Sequence, residues 1–310
     1  MGTAVVFPGQ GAQRAGMARD FHERFAVSRE AFATASEAIG LDVAALCFEE
    51  DERLDRTEFT QPAILTAEIA MMRGLAELGL AATWFGGHSL GEYTALVAAG
   101  AMPLDVAVRV VRRRGALMQT AVPLGEGTMV AVIGDGIARV ELRAALAGLE
   151  VDVANKNSAG QIVLSGATAQ MDEACARVRE ATAAAGITVE LVPLTVSAPF
   201  HSRRMRAIEP AFRAVLDEVA PHIDAARATQ VTSNLTGGFH TGTLDALLDA
   251  LTRQVSGAVD WIANMDAIAR AAETIYEVGP NRPLRGFFKS TGREITSIVS
   301  LKAGEKALAA

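Results

Sequence analysis

The sequence predicts an α/β fold that carries a small inserted subdomain, and three observations lead to this prediction. Short apolar runs typical of buried strands alternate with helical periodicity over much of the 310-residue chain. The stretch from residue 128 to residue 194 breaks this alternation with closely spaced strand patterns. Half of the residues are hydrophobic and few are aromatic, which indicates a core of aliphatic side chains packed between helices.

The first third of the chain is expected to begin with a strand. Residues 3–7 form an apolar run that ends at Pro8 and Gly9, residue types that favour a loop. Helical patterns follow at residues 16–25, 29–39 and 62–78. A strand end at 82–85, a tight glycine-rich turn, and helices at 92–99 and 106–120 complete this part.

The middle stretch has the order β-α-β-β-α-β, which is the ferredoxin-like pattern. Its strands are predicted at residues 128–133, 151–154, 161–165 and 187–194, and its helices at 137–147 and 168–185. We therefore divide the chain into a large subdomain, residues 1–126 and 195–310, and a small subdomain, residues 127–194. The large subdomain resumes with helices at 208–219 and 244–254 and a last strand at 274–278.

Charge and cysteine content exclude several functional classes. The formal net charge is −7, which argues against general nucleic-acid binding because that activity needs a positive surface. Cys47 and Cys175 form no C-x-x-C motif, so no disulfide framework or metal site is expected. We also expect no signal peptide and no membrane span, and hence a cytoplasmic protein.

The residues Gly87-His88-Ser89-Leu90-Gly91 match G-x-S-x-G, the nucleophile elbow. The predicted strand before the motif and the predicted helix after it are the setting that such an elbow requires. A serine on this sharp turn has an exposed hydroxyl, and the following helix points backbone N–H groups toward a developing oxyanion. A glycine-rich turn without chemistry is the alternative.

A serine hydroxyl needs a base, and His201 is the best candidate among the histidines. It follows a predicted strand end and lies in a loop that a rigid scaffold can position. His88 is adjacent to Ser89 in sequence and so points elsewhere on the turn. From the residues alone, His201 could equally be a loop histidine that only packs.

Two further features can serve a site with a serine nucleophile. The loop of residues 8–13 follows the first strand and lacks G-x-G-x-x-G, so it suits a second oxyanion donor better than a dinucleotide. Arg112, Arg113 and Arg114 are consecutive on a predicted helix and therefore point in different directions. One buried arginine among them could hold a carboxylate through two hydrogen bonds.

Taken together, these segments resemble the malonyl-CoA:acyl carrier protein transacylases and the discrete acyltransferases of polyketide synthases. The resemblance runs nearly from end to end. It rests on residues 7–11, 87–93, 114–119, 157–161, 200–202, 253–254 and 276–280. It implies an α/β-hydrolase-like body with a ferredoxin-like insert.

The resemblance also implies roles for individual residues. Ser89 is the expected nucleophile and His201 the base, oriented by a backbone carbonyl within residues 254–256. The backbone N–H groups of Gln10 and Leu90 are expected to form the oxyanion hole. The expected substrate-binding residues are Arg114, Phe200, Gln254 and Asn157.

The expected substrate is malonyl-CoA, with no bound cofactor and no metal. Arg114 favours an acyl group that ends in a carboxylate, because an acetyl group would leave the buried charge unpaired. In related acyltransferases a Phe at the position of Phe200 accompanies malonyl and a Ser accompanies methylmalonyl. Bacterial fatty acid enzymes, however, often have Ser at this position. The sequence of residues 197–205 and the composition rich in Ala and Arg look more like those of a polyketide-pathway acyltransferase than of a housekeeping enzyme.

The expected partner is an acidic, phosphopantetheinylated acyl carrier protein, which requires a basic docking patch on an otherwise acidic monomer. The candidate docking residues are Arg203, Arg204 and Lys289, with Arg206 and Arg285 beside them. Scattered surface charge is the alternative.

Three other functions stay open at this stage. One is transfer of a different extender unit or of a carrier-bound acyl group. Another is hydrolysis of acyl carriers, since the same serine can pass its acyl group to water, although a hydrolase usually adds an acidic triad member. The third is a non-catalytic docking subunit, which would be expected to lose Ser89, His201, Gln10 or Arg114.

Overall fold

The computed structural model describes residues 2–196 and 198–309, which form a mixed α/β structure with two four-stranded sheets. The strands are β1 (Gly2–Phe7), β2 (Trp84–Gly87), β3 (Gly127–Ile133), β4 (Val151–Ser158), β5 (Gln161–Ala167), β6 (Glu190–Pro193), β7 (Ala272–Val278) and β8 (Thr296–Ile298). The first sheet has the order β2-β1-β7-β8 and is parallel. The second has the order β4-β5-β3-β6 and is antiparallel.

The helices cover both sheets. The α-helices are α1 (Arg19–Arg24), α2 (Ala26–Ile39), α3 (Val43–Phe48), α4 (Thr57–Glu77), α5 (Gly91–Ala98), α6 (Leu104–Thr120), α7 (Thr168–Ala184), α8 (Glu209–Val219), α9 (Leu244–Gln254), α10 (Trp261–Ala271), α11 (Pro283–Phe288) and α12 (Leu301–Leu308). Short 3₁₀ helices lie at Glu52–Asp55, Ile137–Arg139, Arg203–Ile208, Ala220–His222, Arg227–Gln230 and Lys289–Thr291. No helix in the described ranges is long and apolar enough to cross a membrane.

Strand β1 is an inner strand of the parallel sheet, and its carboxyl end leads into the loop of residues 8–13. Its residues 4–7 are fully buried, as expected for a parallel strand covered on both faces. Phe7 is in register with Gly87, so the loops that follow β1 and β2 leave the same edge of the sheet side by side. Ligands of open parallel sheets bind at this carboxyl edge.

The antiparallel sheet has a core of its own. Strands β3 and β5 pair along their whole length, from Gly127 opposite Ala167 to Ile133 opposite Gln161. Helix α7 packs against this sheet through Ala174 and Val178. A bridge from Asn155 to Val259 and the hydrogen bond from the N–H of Val259 to the carbonyl of Ala154 join it to the rest of the chain.

The element predictions are confirmed for most strands and long helices, and one is wrong. The helix expected at 137–147 is a single 3₁₀ turn, Ile137–Arg139, followed by turns. Ile137, Leu142 and Leu146 of this segment are all buried in the core of the antiparallel sheet. Isolated short helices are marginal, so burial of these side chains decides the backbone path.

Candidate active site

Ser89 lies on the sharp turn between β2 and α5, and its backbone is strained. Its φ is 53°, in the left-handed region that costs a non-glycine residue about 1–3 kcal/mol. This conformation lifts the hydroxyl out of the turn. Such strain is characteristic of a nucleophile that the surrounding structure holds in place.

The glycines of the motif are required by close backbone approaches. A Cβ atom at Gly87 would lie 1.9 Å from the backbone carbonyl of Gly91. A Cβ atom at Gly91 would lie 2.2 Å from the carbonyl oxygen of Phe7 at the end of β1. The turn can therefore close, and pack on the loop after β1, only with glycine at both positions.

His201 is close enough to Ser89 to accept its proton. The Nε2 atom lies 2.7 Å from the Ser89 Oγ, and the Nδ1 atom lies 2.8 Å from the main-chain oxygen of Gln254. Because a carbonyl can only accept, Nδ1 carries the proton and Nε2 is left to act as a base. The orienting group is thus a backbone carbonyl, and not the carboxylate that completes a hydrolase triad.

Burial and charge keep the His201 ring neutral. The residue is only 4% exposed. Burial first, and then the nearby charge of Arg114, lower the pKa of His201 from 6.5 to about 3. A neutral imidazole is the form that can take the serine proton.

We therefore expect acylation to keep its rate as the pH falls through 6.5. A base whose pKa is lowered to about 3 loses its activity only near that pH, because it stays deprotonated above it. The measurement is kcat/KM for malonyl-CoA between about pH 4.5 and 8, which reports the free enzyme's essential groups. An acid limb centred near the ordinary histidine value of 6.5 would contradict this assignment.

The loop after β1 lies directly against the elbow. A Cβ atom at Gly9 would be 2.4 Å from the carbonyl oxygen of His88. The neighbouring Gln10 is anchored through its side-chain nitrogen, which donates to Thr57 Oγ1 at 3.0 Å. Within the described residues, the N–H groups of Gln10 and Leu90 donate no backbone hydrogen bond, so both are free to point at a substrate oxyanion.

Arg114 reaches the nucleophile from helix α6. It is 1% exposed, and its guanidinium carbon lies 5.3 Å from the centre of the Tyr93 ring. Its Nη2 donates to Ser89 Oγ at 3.2 Å and to Gln254 Oε1 at 3.0 Å, and its Nη1 donates to Gln61 Oε1 at 2.8 Å. A buried guanidinium beside the reacting hydroxyl is suited to bind an anionic end of an acyl group.

Comparison with known proteins identifies the family of the chain. The family model described as "Acyl transferase domain" matches residues 4–283. The chain belongs to the acyl transferase family. It is 40% identical over 291 residues to the malonyl CoA-acyl carrier protein transacylase of Escherichia coli strain K12, with 92% of this chain and 91% of that protein covered.

Solved structures of the family have the same fold as this acyl transferase. The crystal structure of FabD from Acinetobacter baumannii is 38% identical, with a TM-score of 0.88 over 99% of this chain and 97% of that chain. A malonyl-transacylase in complex with its holo type II PKS acyl-carrier protein is 34% identical, with a TM-score of 0.88 over 100% and 99%.

Asn234 contacts the Ser89 turn directly, and sequence reasoning missed it. Its Oδ1 accepts the N–H of Ser89 at 2.6 Å, and its Nδ2 donates to the carbonyl of Gly87 at 2.8 Å. It therefore clamps the strained turn from both sides. The loop that carries Asn234 reaches β2 through a bridge between Phe85 and Val231, a pairing that no local motif signals.

Replacing Asn234 with alanine is expected to lower kcat by about 10–100-fold with little change in KM. The side chain holds the Ser89 backbone but is not among the groups placed to meet the acyl chain or CoA. The check is steady-state kinetics with malonyl-CoA together with a thermal melt. The exposed Asn281→Ala is the matched control. An unchanged kcat in Asn234→Ala would show that the turn keeps its shape unaided.

Asn157 and Phe200 contact neighbours of the two proposed catalytic residues. Asn157 Oδ1 lies 2.8 Å from Nε2 of His88, whose pKa is lowered by burial, so Asn157 contacts the residue that precedes Ser89. Phe200 directly precedes His201 and is buried in the main core. Within the described residues, no group of three or more His, Cys, Asp or Glu side chains could hold a metal ion.

The arginines suggested for docking are already paired within the chain. Arg203 Nε lies 2.9 Å from Asp152 Oδ1, and Arg204 Nη1 lies 2.8 Å from Glu150 Oε2. Both acids belong to the antiparallel-sheet region. Lys289 is exposed and forms no ion pair with any described residue, so it is the freest cation of the three.

Proposed function

We propose that this protein moves a malonyl group from malonyl-CoA to the phosphopantetheine thiol of an acyl carrier protein through an acyl-Ser89 intermediate. One arrangement carries the proposal. The Ser89 hydroxyl lies 2.7 Å from the Nε2 of His201 and 3.2 Å from a buried guanidinium nitrogen of Arg114. The names of the relatives support the same substrates.

The reaction proceeds in two matched halves. Ser89 Oγ attacks the thioester carbonyl while His201 Nε2 takes its proton, and the N–H groups of Gln10 and Leu90 stabilise the oxyanion. The carbon–sulfur bond then breaks, and the CoA sulfur leaves with the proton from His201. In the second half the carrier's thiol gives its proton to His201 and attacks the acyl-serine carbonyl. The bond from that carbonyl to Ser89 Oγ then breaks, and His201 returns the proton to Ser89.

Selectivity for malonyl comes from Arg114 and Phe200 in this proposal. Arg114 pairs with the free carboxylate, and Gln254 holds the guanidinium in place. Phe200 narrows the space for a branch on the acyl chain. Asn157 contributes through His88.

The proposal also covers the fold of the two subdomains and the docking of the carrier protein. We infer an α/β-hydrolase-like large subdomain, residues 1–126 and 195–310, and a ferredoxin-like small subdomain, residues 127–194, whose strand order β4-β5-β3-β6 supports it. The protein acts as a cytoplasmic monomer that needs no bound cofactor and serves a polyketide carrier in trans. Lys289 contacts the acidic carrier, together with Arg203 and Arg204 once their ion pairs are exchanged.

The test is transfer to a carrier protein. The enzyme is incubated with malonyl-CoA and a holo acyl carrier protein, and the carrier is weighed by mass spectrometry. We expect malonyl-carrier with the wild type and none with Ser89→Ala or with a carrier that lacks phosphopantetheine. Free malonate released at the same rate with and without holo carrier would instead identify a hydrolase.

A further inference from the structure

Glu92 is a buried carboxylate that the acyl-transfer cycle does not use. It lies in the first turn of α5, three residues after Ser89, and is 1% exposed. Its oxygens accept hydrogen bonds from three nitrogens. These are Nε2 of His240 at 2.9 Å, the main-chain N–H of Asn234 at 2.9 Å and Nε2 of Gln254 at 2.6 Å.

Glu92 and the Ser89 carbonyl both accept from Nε2 of Gln254, and Glu92 makes the shorter contact of the two, 2.6 Å against 3.1 Å. A carboxylate can only accept, so the NH₂ group of Gln254 must point at Glu92. The Oε1 atom is then directed to the other side, where it lies 3.0 Å from Nη2 of Arg114. With the amide reversed, NH₂ would face the N–H groups of the guanidinium, and two donors would meet in a buried site.

Gln254 is also the residue on which the other functional groups depend. Its main-chain oxygen accepts the Nδ1 proton of His201, and its side-chain nitrogen donates to the carbonyl of Ser89 at 3.1 Å. Asn234 links Glu92 to the elbow in a second way, since its N–H binds Glu92 while its side chain binds Ser89. A single residue, Gln254, thus connects Glu92 by hydrogen bonds to Ser89, His201 and Arg114.

We propose that Glu92 is a positioning residue that sets the preference for a carboxylated acyl group by fixing the polarity of the Gln254 amide toward Arg114. The inference rests on the proposed function, because it concerns the same Ser89 site. It assigns Glu92 no contact with substrate. Its effect passes through Gln254, and its signature is a change in the ratio of malonyl to acetyl acylation.

Glu92→Ala is the principal variant. Water entering the vacated space both donates and accepts hydrogen bonds, so it satisfies the buried groups but leaves only the Ser89 carbonyl and Arg114 to orient the Gln254 amide. We expect the malonyl:acetyl ratio of acylation rates to fall by about tenfold or more. Glu92→Asp withdraws the acceptor by one methylene and is expected to lower the ratio in the same direction, which provides a second variant if the first is unstable.

Glu92→Gln separates the effect of the Gln254 amide orientation from that of the negative charge on Glu92. An amide oxygen at the position of Oε2 still accepts from Gln254 and Asn234, while its NH₂ group faces Nε2 of His240, which can accept in one of its two tautomers. We expect this variant to keep the malonyl:acetyl ratio within about threefold of the wild type. A loss as large as that of Glu92→Ala would mean that the negative charge, and not the amide's orientation, determines selectivity.

Glu277→Ala is the matched control. Glu277 is equally buried and accepts hydrogen bonds from Ser297 and from the main chain of Leu284 and Arg285. It has no link to Gln254. We expect it to lower the melting temperature but to keep the wild-type ratio. An unchanged ratio in Glu92→Ala, or an equal change in Glu277→Ala, would overturn the inference.

A second readout does not depend on CoA chemistry. Malonate is added while Ser89 reacts with a small fluorophosphonate, and the protection of Ser89 is measured. We expect Glu92→Ala to need about tenfold more malonate than the wild type for equal protection. Equal protection of both proteins, or no protection of the wild type, would overturn the inference, whereas failure of the wild type to react with malonyl-CoA would overturn the proposed function.

Discussion

Replacing His201 with alanine is expected to lower the rate of Ser89 acylation by about 10⁶-fold, in line with the loss of the base from other serine enzymes. Without the imidazole, the Ser89 hydroxyl has no acceptor at 2.7 Å for its proton. Arg114 is the other group in contact with that oxygen and can only donate. Rapid-quench measurement of the acyl-enzyme after mixing with malonyl-CoA gives the rate directly.

The control for this prediction is the exposed His222, which lies in a 3₁₀ turn on the surface. His222→Ala should acylate at the wild-type rate. If His201→Ala acylates within tenfold of the wild type while it remains folded, another group is the base. The assignment of His201, and the neutral state that its pKa of about 3 implies, would then be wrong.

Replacing Arg114 with alanine is expected to slow malonyl acylation by about 10²–10³-fold and to slow acetyl acylation far less. The guanidinium is a buried cation beside the Ser89 hydroxyl, so its loss leaves the malonyl carboxylate without a charged partner. An acetyl group makes no such demand. The measurement is the ratio of the two acylation rates under identical conditions.

Arg113→Ala is the matched control because this neighbour on α6 is exposed. It should leave both rates unchanged. Equal slowing of malonyl and acetyl transfer in Arg114→Ala would show that the arginine supports the structure through Gln61 and Gln254 without recognising the carboxylate.

Local pattern was sufficient to predict the sharp turn at Ser89 and the strand and helix on either side of it. The G-x-S-x-G turn allows only glycine at Gly87 and Gly91, so its sequence and its shape are tightly linked. The run at 244–254 likewise matches helix α9 residue for residue. Such features depend on neighbours in the chain, which a single sequence displays.

The buried polar groups around Ser89 could not be predicted in the same way. Asn234 meets Ser89 across 145 residues of sequence, and Glu92 meets His240 across 148. No spacing rule connects such distant positions. The hydrogen bonds that connect these residues form only in the folded chain, so a single sequence does not indicate them.

The sequence also does not show which charged residues on the surface are already paired. Arg203 and Arg204 follow His201 in sequence and look like a free basic patch. In the folded chain, Asp152 and Glu150 from a separate segment neutralise them. Exposed ion pairs are weak, so an acidic partner could displace them, but the sequence alone does not show that they are paired.

The measurement that tests the central claim most directly is intact-protein mass spectrometry after brief exposure to malonyl-, methylmalonyl-, ethylmalonyl- or acetyl-CoA in separate reactions. We expect the wild type to gain the mass of one malonyl group, the other acyl groups to label it less, and Ser89→Ala to gain none. A wild type that stays unlabelled by malonyl-CoA, or a Ser89→Ala variant that is labelled as well as the wild type, would contradict an acyl-Ser89 transferase.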